Sequence, residues 1–202
     1  MGKGRLEAFS DAVLAIIITI MVLELSVPRG TTLDALRPLV PVALSYALSF
    51  VYLGIYWNNH HHMLHVTHGV TGGILWANLH LLFWLSLVPF ATAWMGENHF
   101  ASVPTALYGV VLLLAAIAYS ILLRRILASE GPHSVLAAAV GRDVKGNLST
   151  ALYVVAIAAA FIHPGIADAI YVLVALMWLV PDRRIERALA RAESGGAPRP
   201  QP

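Results

Sequence analysis

RLEAFSDAVLAIIITIMVLEL, residues 5–25, opens with an arginine, a serine and an aspartate, then stays apolar, apart from Thr19, as far as Glu24. A run of this length suits a helix crossing a hydrocarbon core of about 30 Å, which takes roughly 20 residues. The polar residues at its start are the costly ones. A carboxylate at bilayer depth costs roughly 2.5–3.5 kcal/mol on insertion scales, so Asp11 must face protein or water and find a partner there. Ser10 and Asp11 also suit a plain helix start, where short polar side chains cap free amides and the helix dipole favours an anion. That reading leaves Arg5 and a histidine cluster further along without a role.

Similar runs recur along the chain. Of its 202 residues 58% are hydrophobic and 12% charged, where a soluble domain carries about a quarter charged. Apolar blocks at 9–27, 39–64, 70–95, 103–123, 148–162 and 166–180 predict an all-α integral membrane protein with six transmembrane helices per subunit. The last two blocks are short and meet at His163, Pro164 and Gly165. The first lacks a small-residue cleavage site and is longer than a signal core, so it is expected to remain in the mature protein. Lys3, Arg5, Arg124, Arg125, Arg142, Lys145, Arg183, Arg184, Arg187, Arg191 and Arg199 fall on one side of these spans, against Arg29 and Arg37 on the other. The cytoplasmic excess of Lys and Arg in membrane proteins then puts both termini in the cytoplasm. The net charge of +2 follows from that bias and points to no nucleic acid. With no cysteine, disulfides and thiolate metal sites are excluded. Residues 1–182 are read as the membrane domain and 183–202 as a charged cytoplasmic tail, partly disordered. The long connection between the fourth and fifth blocks has room for a short interfacial helix at 134–140.

At 100° per residue, Ile20 and Leu23 fall within about 40° of Ile16, and Phe9 projects onto the same stripe. Thr19 sits beside it, and Asp11 lies about 140° from Ile16, so the two faces of the helix have different tasks. The second block ends in YWNNHHHMLHVTH, residues 56–68, near the same boundary as Asp11. His60, His61 or His62 is therefore expected to donate to Asp11. His61, His65 and His68 share a helical face by spacings of four and three, which suits a metal. A membrane metalloenzyme with His80 as a further ligand is one alternative. It lacks the several His clusters of such enzymes and the carboxylate of an H-E-x-x-H pattern, so no metal is assigned. A secondary transporter using Asp11 as coupling carboxylate is another, but inverted repeats and paired broken helices are not visible. Trp57, Trp76, Trp84, Trp94 and Trp178 mostly fall near block ends and read as interfacial anchors without chemistry.

Arg5, Phe9, Ser10 and Asp11 stand in the pattern R-x-x-x-F-S-D at the start of the first span. With YWNNHH at 56–61 and PFATAW at 89–94, this resembles the transmembrane protein 175 family, the lysosomal potassium channels and their bacterial homologues. The likeness covers most of residues 1–180 and matches one six-helix repeat. It implies a homotetramer whose four first helices line an ion pathway, with neither a TVGYG filter sequence nor a re-entrant selectivity-filter loop. It implies that Ile16, five residues after Asp11, is the narrowest point, with Ile20 and Leu23 as further apolar layers and Thr19 as a pore-lining hydroxyl. It further implies that Arg5, Phe9, Ser10 and Asp11, with His60 and His61, join the first helix to its neighbours. The expected function is a potassium-permeable cation channel with a hydrophobic gate, not an enzyme. Its expected partners are further copies of itself, the lipid bilayer and monovalent cations, with permeant potassium in place of a cofactor. The expected location is a cell membrane of the bacterial inner-membrane type.

Overall fold

The structure is a computed structural model that describes residues 2–65, 67–131, 134 and 143–179, and among them there is no strand. Among the described residues seven α-helices follow in order: α1 (Lys3–Leu23), α2 (Val40–His65), α3 (Gly72–Ser86), α4 (Val88–Glu97), α5 (Ser102–Glu130), α6 (Val144–Ala160) and α7 (Pro164–Leu179). A 3-10 segment, Leu33–Leu39, leads into α2. Among the described residues four stretches are long and apolar enough to cross a membrane: Lys3–Leu23, Leu33–His65, Gly72–Glu97 and Ser102–Glu130. The fifth and sixth expected spans appear as α6 and α7, apolar but only 17 and 16 residues long. The interfacial helix expected at 134–140, apart from Ser134, and the tail at 183–202 lie outside the described residues.

The third expected span is two helices, not one. Pro89 stands at the second position of α4, where it has no N–H for the carbonyl four residues back, so the α3 ladder is interrupted at Leu87. Thr71 starts α3 by accepting the Ile74 amide at 3.3 Å, and Asp143 starts α6 by accepting the Gly146 amide at 2.9 Å. Both bonds supply acceptors to amides that a helix start leaves open. After α4, His99 and Phe100 take positive φ values of 50° and 58° and turn the chain directly into α5.

The core is centred on α5, where Tyr108, Leu112, Ala115, Ala118 and Leu122 are wholly buried; α5 packs on α3, α4, α6 and α7. Small residues permit this closeness. At Gly109 an added Cβ would run into the Tyr171 hydroxyl and stand 2.9 Å from Ile157. Buried hydroxyls are paired across helices: Ser49 of α2 meets Thr92 of α4 at 2.6 Å and Tyr108 of α5 at 3.0 Å. The Tyr52 hydroxyl donates to the Tyr171 carbonyl at 2.7 Å. Such pairing offsets the cost of taking hydroxyls out of water.

The first helix is peripheral. It touches α2, α3 and α4, and only 28% of its apolar window is buried, against 56% for α5. Antiparallel connections gather the start of α1, the end of α2, the start of α3 and the end of α5 at one end of the bundle. Lys3 donates to the His65 carbonyl there, and His68 meets Glu130 at 2.6 Å. Lys3, Arg5, Arg124 and Arg125 therefore share an end, and Arg29 and Arg37 lie at the other. Arg37 pairs with Asp34 at 3.1 Å with both side chains largely in the open, a pair worth little to stability.

Candidate functional site: the exposed face of the first helix

One narrow stripe of α1 faces its own chain. Leu6, Ser10, Leu14, Ile17 and Met21 recur at intervals of three or four and are buried, as expected for one side of a 3.6-residue helix. Flanking them, Phe9, Ile16, Ile20 and Leu23 are 46%, 56%, 42% and 79% exposed. The stripe singled out by angle is thus apolar and only partly covered by the described residues. Thr19 is exposed beside it and donates its hydroxyl proton to the Ile16 carbonyl at 2.9 Å. That bond leaves the lone pairs of the hydroxyl oxygen free to accept or to meet a cation.

A concavity of about 460 Å³ lies alongside, between Ile16 and Ile20 of α1 and Pro89 and Phe90 of α4, with Glu24 on its wall. Glu24 also lines an adjoining hollow with Glu97.

Ser10 is held by a directed chain of hydrogen bonds. Its hydroxyl donates to the Leu6 carbonyl at 2.9 Å. It accepts from the Asn78 amide nitrogen of α3 at 2.9 Å, and the Asn78 carbonyl oxygen meets His60 Nε2 of α2 at 2.7 Å. With the amide nitrogen committed to Ser10, the carbonyl oxygen is the acceptor and His60 Nε2 must donate. Ser10, Asn78 and His60 are all buried, so one amide links three helices.

Asp11 is not held by a histidine. Its carboxylate accepts from Trp57 Nε1 of α2 at 3.0 Å. His60 reaches Asn78 instead, and His61 stacks on Trp57 with ring centroids 6.1 Å apart. Trp57 is exposed on one side, amphipathic, and one turn before His61, which explains how a residue read as an interfacial anchor becomes the donor. Asp11 is itself exposed, so the single chain does not cover it. Arg5 is exposed as well: its amide donates to the Gly2 carbonyl at 3.1 Å, and among the described residues its guanidinium makes no hydrogen bond or ion pair.

The three-histidine face does not form either. The helix ends at His65, and His68 turns away to Glu130 with both its ring Nδ1 and its amide. His80 Nε2 accepts from Trp84 at 2.9 Å. Among the described residues, no three histidine, aspartate or glutamate side chains converge on one point.

Residues 5–89 match the family model described as endosomal/lysosomal potassium channel TMEM175. A potassium channel of Chryseobacterium sp. (strain P1-3) is 57% identical over 189 residues, 94% of this chain and 98% of that protein. The chain belongs to the TMEM175 family. A second relative, a potassium channel of Streptomyces collinus, is 34% identical over 128 residues, 59% of this chain and 62% of its own. The fold is that of the family too. The crystal structure of a lysosomal potassium-selective TMEM175 homologue from Chamaesiphon minutus superposes with a TM-score of 0.79 at 28% identity, covering 89% of this chain and 97% of that one. The TMEM175 family and these relatives are ion channels, not enzymes. The matched segment runs from Arg5 to Pro89 and so takes in Ser10, Asp11, Trp57, His60 and Asn78.

Proposed function

We propose that the chain is one subunit of a homotetrameric, potassium-permeable cation channel in a cell membrane. In this reading six helices cross the bilayer, both termini are cytoplasmic, and α1 lines the pore. The observation that carries it is the division of α1: Ser10 and the apolar residues in register with it bury against the chain, while Ile16, Ile20 and Leu23 stay open. An apolar stripe on a TMEM175-family first helix, anchored behind by Ser10 and at the flank by Asp11, has a neighbouring copy or a shared axis as its natural counterpart.

Four Ile16 side chains around an axis form a ring too tight and too apolar for a hydrated ion, and such constrictions gate by dewetting. Ile20 and Leu23 add apolar layers one and two turns further along. Thr19 supplies the polar element: its proton is spent on the Ile16 carbonyl, so four oxygens remain to replace part of a cation's hydration once the helices rotate or spread. Glu24 stands at the far end of the same helix, where its charge raises the local cation concentration.

Single-channel recording of the purified protein in a planar bilayer, under a potassium/sodium gradient, tests the reading. Unitary current steps with a potassium-favouring reversal potential are expected, whereas a carrier would show saturating flux without steps. Ile16→Asn puts polar amides in the ring and is expected to raise basal conductance and move the reversal potential toward zero. Unchanged conductance and unchanged ion preference would remove Ile16 from the constriction.

A further inference from the structure

Beside the Asp11 anchor the last two turns of α2 carry a row of rings that the channel reading does not use. Trp57 stacks on His61 at 6.1 Å and 25°, and His61 stacks on His65 at 6.1 Å and 29°. Both imidazoles are exposed. Neither ring has a hydrogen-bond partner among the described residues, unlike His60, His68 and His80, whose ring nitrogens are engaged. We propose that His61 and His65 form a two-imidazole site for a borderline divalent transition-metal ion, of the zinc or nickel type, completed by water.

The chemistry of the donors fits. A four-residue spacing places two side chains on one helix face one turn apart, the arrangement by which helical histidine pairs grip zinc. A metal with Zn–N bonds of about 2.0–2.1 Å and a tetrahedral preference needs the two rings closer than they now lie. Because both are exposed, their side-chain torsions are free to close that gap. Loading His61 with a dication also places positive character over the face of Trp57, which the indole quadrupole favours. The carboxylates of Glu7 and Asp11 act on neighbouring His60 and so lie within electrostatic reach of these turns. Lys3, which donates to the His65 carbonyl, opposes the ion, but it is only half-buried at the end of the bundle, where salt weakens its charge. Hard cations such as magnesium prefer oxygen ligands and do not suit two imidazoles. No cysteine competes anywhere in the sequence.

The site has a mechanical neighbour. Trp57 both stacks on His61 and donates to Asp11, so a metal clamped across His61 and His65 stiffens the turns against which α1 is held. Resting on the channel reading, occupation is expected to slow opening when the ion is applied from the side of the bundle that holds the end of α2.

The test is isothermal titration of ZnCl2 into the full chain, purified without a histidine tag in detergent micelles. About one zinc per subunit is expected. His61→Ala and His65→Ala should each weaken binding by at least about tenfold, the scale on which zinc sites respond to the loss of a supporting group. His163→Ala, at the other end of the bundle, should leave it unchanged. Binding that survives both His61→Ala and His65→Ala, or that falls equally in His163→Ala, overturns the site. Tryptophan fluorescence at the same protein concentration checks that the variants are folded. This binding result does not depend on conduction, so it stands or falls apart from the pore assignment. Zinc block in bilayers that is lost in His61→Ala supports the mechanical coupling, and block that is retained there overturns it.

Discussion

Replacing Asn78 by leucine removes the amide that joins α1, α2 and α3. His60 Nε2 then keeps a proton with no acceptor at a site only 2% exposed. Ser10 retains the Leu6 carbonyl for its own hydroxyl and loses only an accepted bond. Hydrogen bonds between membrane helices average about 0.6 kcal/mol and reach about 1.7, because the unfolded chain in the bilayer finds other partners. A buried group left unsatisfied costs about 1–3 kcal/mol. The burial of His60 makes the second figure the relevant one, so Asn78→Leu is expected to destabilise the subunit by about 1–3 kcal/mol. Adding His60→Leu removes the stranded donor. The double variant should therefore recover most of the loss, with a favourable coupling of about 0.5–3 kcal/mol between the two positions. Unfolding in mixed micelles of rising dodecyl sulfate fraction, followed by tryptophan fluorescence, gives both quantities. A single variant as stable as the parent, or two losses that simply add, would refute the directed chain from His60 to Ser10.

Thr19→Val should leave stability within about 0.5 kcal/mol, since the side chain is exposed and its only bond is to its own helix. The same change should lower potassium preference over sodium, read as a shift of the bi-ionic reversal potential toward zero. Gly96→Ala sets a Cβ against the Ser45 hydroxyl and 2.8 Å from Val42 Cα, and the resulting overpacking of α4 on α2 should cost about 1–3 kcal/mol in the micelle titration.

The four long spans were legible because block length and bilayer thickness constrain one another, and the apolar stripe of Ile16, Ile20 and Leu23 was legible because its members recur at helical spacing. The break at Leu87 was also written in the sequence, since Pro89 lies well inside an apolar block, yet length alone had joined the two halves. Asn78 was missed although the signal was present: a lone amide in ILWANLHLL is costly in lipid and needs a partner. What the sequence could not say is which partner, because that depends on how α1, α2 and α3 rotate against one another. Trp57 was set aside for the opposite reason. A tryptophan at a span end fits an interfacial role so well that its N–H went uncounted, and the histidines next to it drew the assignment of Asp11. His68 failed as a face-mate because helical spacing was extended past His65, where the helix stops.

The shallow seat of α1 separates insertion from assembly. Lipid chains are as apolar as the side chains a neighbouring copy would offer, so hydrophobicity gives the exposed arc little preference between them. If four copies assemble as proposed, diluting the protein in bilayer should therefore strip the first helices of their companions by mass action while each chain stays helical. Conduction would then be lost at lipid-to-protein ratios where circular dichroism still reads an intact fold, and activity would depend on crowding in the plane of the membrane.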